Sequence, residues 1–252
     1  MLRFDIHERE TLKLLYHAFS DGPFTTVTIS WRRKGIQIIG FHPSTSFIGR
    51  LELQEKSFDQ YTYEDEGSLA VFTKHLRSAL DFAFSPRHAG VPIATSWYCS
   101  KTGLKIIITV EGVATLTRNL RDVPDSILPP QTGPSFTAAA ELKSSDVNLI
   151  REIFDAFATV EQVRLRVESG KFTATDPKSL ETKFQPLGVN GKGDAETLIS
   201  RGLIEYSSAV ILHCNPPESL ALTVINDGFA KVEYTFAKGR LTYLIAGTIE
   251  GE

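Results

Sequence analysis

The chain has 252 residues, of which 42% are hydrophobic and 23% are charged, and its formal net charge is −3. This balance is typical of a globular protein with its own core, and it argues against a membrane-spanning segment or a long disordered tail. The two cysteines, Cys99 and Cys214, lie far apart without a second pair, so we expect no zinc site and no disulfide framework. We also expect no other metal and no cofactor.

The N-terminus reaches charged residues before any apolar run, which predicts no secretory signal and no membrane association. We therefore expect a nuclear protein, or a cytoplasmic one if the source is a prokaryote. Residues 1–126 carry 15 basic and 14 acidic side chains, and residues 127–252 carry 12 and 16. Neither half is a basic arm, so any contact with DNA must use a local basic surface.

The first half of the chain predicts strands and helices in a definite order. An alternating strand at 2–6 precedes a helix at 8–19, because Leu12, Leu15 and Phe19 recur at helical spacing. A hairpin at 26–31 and 36–39 follows, joined by a turn that ends in Gly35. A second helix at 70–84 and paired strands at 104–110 and 115–120 complete this half.

The second half repeats that order, which indicates an internal duplication. The pattern predicts a helix capped by Ser144 or Ser145 and a later helix capped by Asp194. The predicted segments are a strand at 136–142, a helix at 147–157, a hairpin at 162–168 and 171–175, a helix at 195–208, and strands at 220–225, 231–237 and 241–246.

A segment with four prolines separates the two halves, and its composition predicts an extended linker. We therefore predict an α+β protein with a domain at 1–119, a connector at 120–134 and a similar domain at 135–252. In each domain two helices cover one face of antiparallel sheet.

Three short motifs suggest chemistry, and each has a simpler interpretation. The glycines of 188–193 lack the spacing of a phosphate loop and predict a mobile inter-strand loop. The acidic residues at 64–66 lack the spacing of a calcium loop and predict a solvated turn. His213 and Cys214 would point to opposite sides of a strand, so a buried core cysteine is favoured over a nucleophile. The sequence contains no catalytic motif, and we expect no catalytic residue and no enzyme activity.

Basic side chains recur on the outward faces of all four predicted helices. Arg9, Lys13 and His17 are spaced four apart, and Lys74 and Arg77 three apart, so each group lies along one helix face. Arg151 and Arg201 occupy the outward faces of the third and fourth helices. Taken singly, such residues are usually solvated, and it is their recurrence that indicates a shared role.

Together with this order of elements, several segments resemble the proliferating cell nuclear antigen (PCNA) family of DNA sliding clamps. The resemblance runs through the whole chain, with low identity. It is carried by residues 12–13, 35–38, 41–44, 51–53, 57–61, 74–77, 127–129, 232–234 and 241–246.

The resemblance implies a ring of three chains that encircles double-stranded DNA, with sheets outside and helices lining the inner face. The DNA-facing residues would be Arg9, Lys13, His17, Lys74, Arg77, Arg151 and Arg201. Cations placed there would attract the phosphate backbone without reading bases. Neighbouring subunits would pair sheet edges at 114–120 and 180–184.

The resemblance also implies that the ring does no chemistry and tethers DNA polymerase and other clients after loading by a clamp loader. Clients would insert a short hydrophobic peptide into a pocket formed by Phe41, Ile48, Leu128, Pro129, Phe229, Leu244 and Ile245. This sequence departs from the family at Ser46, where an apolar residue is usual, and at Gly247, where a proline is usual.

Two other interpretations stay open at this point. The chain could be a subunit of a heterotrimeric checkpoint clamp that acts in the DNA damage response, which would account for its divergence. It could also be a duplicated α+β enzyme with a cleft between its halves, although the sequence offers no catalytic set.

Overall fold

The computed structural model describes residues 1–19, 23–44, 46–123, 139–144, 146–179, 183–186, 191–226 and 228–247. The chain divides into two compact units: unit 1 comprises Met1–Pro43 and Arg50–Pro129, and unit 2 comprises Ser44–Gly49 and Pro130–Glu252. Most of the predicted connector at 120–134 lies outside the described residues, and the predicted domain boundaries stay predictions.

The described residues of unit 1 form two α-helices, two short 3-10 turns at Glu55–Ser57 and Pro86–His88, and two groups of strands. Its elements are β1 (Leu2–Ile6), α1 (Arg9–Phe19), β2 (Thr26–Arg32), β3 (Gly35–Phe41), β4 (Phe47–Gln54), which begins in unit 2, β5 (Gln60–Tyr63), β6 (Gly67–Phe72), α2 (Thr73–Ala83), β7 (Ile93–Ser100), β8 (Gly103–Val110) and β9 (Ala114–Arg121). One sheet has the order β5-β1-β7-β8-β9, and the strands β4, β3, β2 and β6 lie side by side in a second.

Unit 2 has the same succession of elements. They are β10 (Ala139–Ser144), α3 (Leu149–Ala156), β11 (Gln162–Glu168), β12 (Lys171–Thr175), β13 (Lys183–Phe184), β14 (Gly191–Lys192), β15 (Ala195–Ser200), α4 (Arg201–His213), β16 (Ser219–Ile225), β17 (Phe229–Phe236) and β18 (Gly239–Ala246). The strand orders β14-β10-β16-β17-β18 and β13-β12-β11-β15 repeat those of unit 1 strand for strand. The predicted α+β duplication is therefore confirmed.

The helices form where apolar residues recur on one face. In α1 the buried residues include Leu12, Leu15 and Phe19, as the spacing predicts. Aromatic side chains pack beneath the sheets in the same way: the rings of Phe4 and Trp97 stack with their centres 5.4 Å apart. Because alternate strand residues point to one face, these inward rings leave the next residue of each strand on the outward face.

Two predicted helices begin too early in the chain. Residues 67–72 and 195–200 are strands, and helices α2 and α4 start only at Thr73 and Arg201. The reason is tertiary: β15 pairs with β11 along its whole length, from Ala195 opposite Val167 to Ser200 opposite Gln162. Strand pairing therefore overrides a local pattern that also fits a helix.

The predicted helix caps are also wrong for the described residues. The Asp194 carboxylate accepts a hydrogen bond from the backbone N–H of Ser169 at 2.8 Å, so it holds the turn between β11 and β12. Ser144 accepts from the backbone N–H of Asp146 at 2.9 Å, in a turn before α3. Ser145 lies outside the described residues, as do residues 188–190 of the predicted glycine-rich loop.

Tyr234 carries a buried hydroxyl group in the core of unit 2, and removing it tests what that group costs the folded state. Its side chain is fully buried, its hydroxyl has no hydrogen-bond partner among the described residues, and burial raises the pKa of Tyr234 well above its usual value. We expect Tyr234→Phe to stabilise the fold by about 1 kcal/mol, because it removes an unsatisfied buried polar group.

The matched variant is Tyr61→Phe. The Tyr61 hydroxyl donates to the carbonyl oxygens of Arg32 at 2.6 Å and Gly35 at 2.9 Å, so its removal should destabilise the fold by about 1 kcal/mol. Urea unfolding of both variants measures whether the free energy of unfolding rises for Tyr234→Phe and falls for Tyr61→Phe. A stability loss for Tyr234→Phe equal to that for Tyr61→Phe would contradict the assignment.

The two cysteines differ in accessibility. Cys99 is buried in β7, and burial raises the pKa of its thiol to about 12. Cys214 is half-buried and directly follows α4, so its predicted place on a core strand is wrong: the helix extends through His213. We expect a thiol reagent at neutral pH to modify Cys214 and to spare Cys99 until the protein unfolds.

The same pKa shift predicts a loss of stability in alkali. The folded protein holds the Cys99 proton up to about pH 12, whereas the ordinary thiol releases it near 9.0. Because the folded state then binds more protons than the unfolded state, the free energy of unfolding should fall as pH rises from about 9 towards 12. Counting the thiols that react at neutral pH, before and after unfolding, checks the first expectation. Urea midpoints measured between about pH 9 and 12 check the second.

None of the helices in the described part of the chain is long and apolar enough to cross a membrane. Within the same residues, no group of three or more His, Cys, Asp or Glu side chains is placed to hold a metal ion.

Candidate functional site

The two helices of unit 1 pack against each other and expose cations on α2. The Tyr16 hydroxyl on α1 donates to the Asp81 carboxylate on α2 at 2.7 Å. Lys74 is exposed, with its Nζ 5.5 Å from the centre of the Phe72 ring, and half of the Arg77 side chain is exposed, with its Nε 3.9 Å from Asp81. These two residues carry the most accessible positive charge of the predicted set in unit 1.

The three predicted residues of α1 have closer partners within unit 1. The Arg9 guanidinium donates to the carbonyl oxygens of His88 and Val91, each at 3.4 Å, and so anchors the segment after α2. Lys13 donates to Glu10 at 2.7 Å and is about one-third exposed. His17 is half-buried, with its ring 4.9 Å from that of Tyr16.

The predicted cations of unit 2 are used inside the unit. The guanidinium carbon of Arg201 lies 3.8 Å from the centre of the Phe154 ring, and its Nε donates to the Phe154 carbonyl at 3.4 Å. Arg151 lies over the same ring at 4.9 Å and donates to Asp155 at 3.1 Å. Arg201 of α4 therefore supports the packing of α4 against α3, whereas the contacts of Arg151 lie within α3.

The helix pairs of the two units differ in charge. The sequences of α1 and α2 hold four Lys or Arg against two acidic residues, a net charge of +2. Those of α3 and α4 hold two against three, a net charge of −1. The predicted cations do lie on all four helices, but the exposed ones among them, Lys74 and Arg77, belong to unit 1.

Three residues of the predicted peptide pocket share an outward face of unit 2. In the β17–β18 register, Phe229 lies opposite Ala246 and Lys231 opposite Leu244, while the alternating residues are buried. Ile48 follows Phe47, whose ring stacks on Tyr243 with centres 5.1 Å apart. Because Phe47 and Tyr243 point inward, Ile48 and Leu244 point outward. We call Ile48, Phe229 and Leu244 the apolar cluster.

The other predicted pocket residues are placed differently. Ile245 is fully buried, because strand alternation turns it into the core of unit 2, so the expectation that it contacts a peptide directly does not fit its position. Phe41 ends β3 in unit 1 and is half-buried. Leu128 and Pro129 lie outside the described residues.

The two residues that depart from the PCNA pattern lie beside this cluster. The Ser46 hydroxyl lies 2.7 Å from the Ser44 hydroxyl, and the Ser46 backbone carbonyl accepts a hydrogen bond from the backbone N–H of Ala246 at 2.8 Å. The N–H of Gly247 donates to the Gly228 carbonyl at 2.5 Å, which closes the end of the β17–β18 hairpin. A Cβ at position 247 would lie 2.7 Å from Thr197 Oγ1 and 2.9 Å from the Gly228 oxygen. The sequence pattern indicates neither role.

Each unit also presents a sheet edge at a predicted position. β9 is the last strand of its sheet, and most of its residues are exposed. β13 is the last strand of its own sheet, although residues 180–182 of the predicted edge lie outside the described residues. Such edges offer unpaired backbone N–H and C=O groups to another strand.

Comparison with solved structures places this arrangement among known folds. PCNA from Thermococcus kodakaraensis matches with a TM-score of 0.77 and 15% identity, over 98% of this chain and 100% of that one. PCNA from A. fulgidus, bound to the C-terminal region of FEN-1, matches with 0.77 and 16% over all of both chains. A PCNA2–PCNA3 complex from Sulfolobus tokodaii matches with 0.74 and 16%, over 97% of this chain and 98% of that one.

No family model matches the sequence, and no curated protein matches it. The chain nevertheless has the PCNA fold over nearly its entire length, and the fold implied by the sequence resemblance is confirmed.

Proposed function

We propose that this chain is a subunit of a ring-shaped, non-enzymatic sliding clamp that encircles duplex DNA in the nucleus. The ring would be placed on DNA by a clamp loader and would hold DNA polymerase and other replication or repair proteins there. The observation that carries the proposal is the match to PCNA structures over 97–100% of the chain.

Contact with DNA rests on the exposed charges of α2. Duplex DNA carries one negative charge per ≈ 1.7 Å of its axis, so cations that reach the backbone attract any sequence equally. Lys74 and Arg77 are exposed on the outer side of α2, opposite its buried Leu76 and Leu80. Long-range attraction without base contacts allows the ring to slide.

Assembly and client binding rest on two further surfaces. A head-to-tail contact between β9 of one subunit and β13 of the next would close into a ring if each contact turns the chain by one-third of a circle. The apolar cluster is suited to a hydrophobic peptide, because it offers a partly exposed aliphatic and aromatic surface on a sheet. The A. fulgidus PCNA structure holds the C-terminal region of FEN-1, which supports a peptide-binding role for this fold.

A second candidate is a subunit of a mixed ring, such as a heterotrimeric checkpoint clamp. The observation that favours it is the net charge of −1 on α3 and α4, whose two arginines are used inside unit 2. Partner chains with more basic helices would complete the positive lining. The PCNA2–PCNA3 complex from Sulfolobus tokodaii is a solved structure of this fold in which two different PCNA chains are associated.

Light scattering on the purified chain separates the two candidates. One chain is 27.9 kDa, so we expect a mass of three times that value, about 84 kDa, for a ring of identical subunits. A mass of one chain at every concentration tested would contradict the homotrimer and favour the mixed ring.

A further inference from the structure

The outward face of the sheet β5-β1-β7-β8-β9 carries a row of side chains that the proposed clamp does not use. The strand registers place Arg3 opposite Tyr98, Tyr98 opposite Lys105, and Lys105 opposite Asn119. Directly opposed residues share one face of a sheet, so these four side chains form a line across four adjacent strands. We call Arg3, Tyr98, Lys105 and Asn119 the cross-strand row.

This row lies on the opposite side of the sheet from the helices. The neighbouring residues Phe4, Trp97 and Ile106 are buried and point into the core of unit 1, where α1 and α2 pack against the sheet. Strand alternation therefore turns the row to the outside. Pairing of β9 with another subunit would use the backbone of that edge and would leave the outward faces of β1, β7 and β8 uncovered.

An aromatic ring lies between two cations in the centre of the row. The Arg3 guanidinium carbon is 5.3 Å from the centre of the Tyr98 ring, and Lys105 Nζ is 5.7 Å from it. Lys105 is exposed, and Arg3 and Tyr98 are partly exposed. A cleft of about 360 Å³ adjoins the row, and its lining includes Tyr98, Lys105, Asn119, Arg121, Ser100 and Thr102.

Positive charge exceeds negative charge around the row. The Asp5 carboxylate Oδ2 accepts from the Arg3 guanidinium at 3.3 Å. Glu64 and Asp65, beyond β5, form ion pairs with the ammonium group of Met1, which lines the cleft. The four cationic groups, Arg3, Lys105, Arg121 and the Met1 ammonium, therefore outnumber these three carboxylates.

We propose that the cross-strand row binds single-stranded nucleic acid. Adjacent strands are about 4.8 Å apart, so β1 and β8 place their two cations on strands separated by about 10 Å, with Tyr98 between them. A single strand presents phosphates for the cations and unstacked bases for the ring, which is the usual combination at such sites. An acidic peptide lacks the flat bases, and a duplex keeps its bases inside.

Binding requires only a small rearrangement of the free protein. A base stacking on Tyr98 would displace the Lys105 ammonium from the ring, and the cation–π interaction that this breaks is weak at an exposed position. The long lysine side chain then remains within reach of the adjacent phosphate. The Arg3 guanidinium can stay against the other part of the ring, held by Asp5.

Fluorescence anisotropy of a labelled short oligothymidylate with the full chain tests the proposal. We expect Lys105→Glu to weaken binding about tenfold, with a shallower dependence of affinity on salt. Tyr98→Ala should weaken it about fivefold or more, whereas Tyr98→Phe should keep it, because stacking needs only the ring. The matched control is Lys171→Glu, the same charge change at an exposed position on β12 of unit 2.

Several results would overturn the assignment. Unchanged affinity in Lys105→Glu or in Tyr98→Ala would do so. Displacement of the labelled oligothymidylate by duplex DNA or by polyglutamate as effectively as by unlabelled oligothymidylate would also do so. Lys105→Glu should keep wild-type retention on circular duplex DNA, since the row lies away from the helices. A variant of the row that loses single-strand binding but keeps retention on duplex DNA therefore supports this site independently of the proposed clamp function. Retention that fails while single-strand binding is kept would contradict the clamp function and leave this site intact.

Discussion

Reversing the two exposed cations of α2, in Lys74→Glu with Arg77→Glu, is expected to abolish retention on circular duplex DNA. The two changes shift the net charge of the α1–α2 pair from +2 to −2, so attraction of the phosphate backbone becomes repulsion. Both side chains are exposed, and α2 keeps its buried Leu76, Ala79 and Leu80. The fold and the assembly should therefore be unchanged.

The measurement is co-elution of loaded protein with nicked circular plasmid, followed by linearisation to release it. Lys171→Glu with Lys178→Glu is the matched control, because it makes the same charge change at exposed positions of unit 2 away from the helices. Retention of the α2 double variant at the level of this control would contradict the DNA-binding assignment of these residues.

The hairpins were predictable because their signals are local. Strand alternation and the Ser169-Gly170 pair predict β11 and β12 with their observed bounds. In the structure both turn residues have positive φ, 50° for Ser169 and 78° for Gly170, as a two-residue hairpin turn requires. Here the turn and the flanking alternation favour the same structure, so no tertiary information is needed.

The start of α4 was not predictable in this way. Ile199 and Leu203 are four apart, as on a helix face, and pairing with β11 makes residues 195–200 a strand. The same limit applies to the candidate site. Spacing places Arg151 and Arg201 on helix faces, and it places Phe154 beside Arg151 on α3, but the Phe154 ring becomes a neighbour of Arg201 only when α3 and α4 pack.

The partial exposure of Leu244 and the burial of Ile245 depend on one further fact, which is the side of the sheet on which the alternation places each residue. Neighbouring residues of β18 must face opposite sides, but both are apolar, so the sequence does not indicate which one is inside. The stacking of Phe47 on Tyr243 sets the phase, since it places Tyr243, and hence Ile245, inside. The sequence pattern was therefore sufficient for the strand and insufficient for its outward face.

Introducing at position 247 the proline that is usual in the PCNA family is expected to destabilise unit 2 by about 2–4 kcal/mol. Proline has no N–H, so Gly247→Pro removes the hydrogen bond to the Gly228 carbonyl. Its Cβ would also lie within 3 Å of Thr197 Oγ1 and of the Gly228 oxygen, closer than packed atoms tolerate. Urea unfolding measures the loss.

An alanine variant at the same position separates the lost hydrogen bond from the steric clash, and an alanine variant at a second glycine is the control. Gly247→Ala keeps the N–H but adds the Cβ, so it should destabilise less than the proline by about the value of one hydrogen bond, about 1 kcal/mol. Gly202→Ala, in α4, should instead stabilise by about 0.5–1 kcal/mol, because the nearest atom to its added Cβ is 3.8 Å away and alanine favours a helix. A proline variant as stable as wild type would refute the structural role of Gly247.

The position of Gly247 also links its role in stability to the proposed binding of client peptides. It directly follows Ala246, which lies opposite Phe229 of the apolar cluster, and its hydrogen bond fixes this end of the hairpin. Gly247→Pro should therefore disturb Phe229 before it disturbs Leu244, which lies further from the hairpin end opposite Lys231. The glycine at this position is thus best explained as a requirement of the hairpin that carries the cluster.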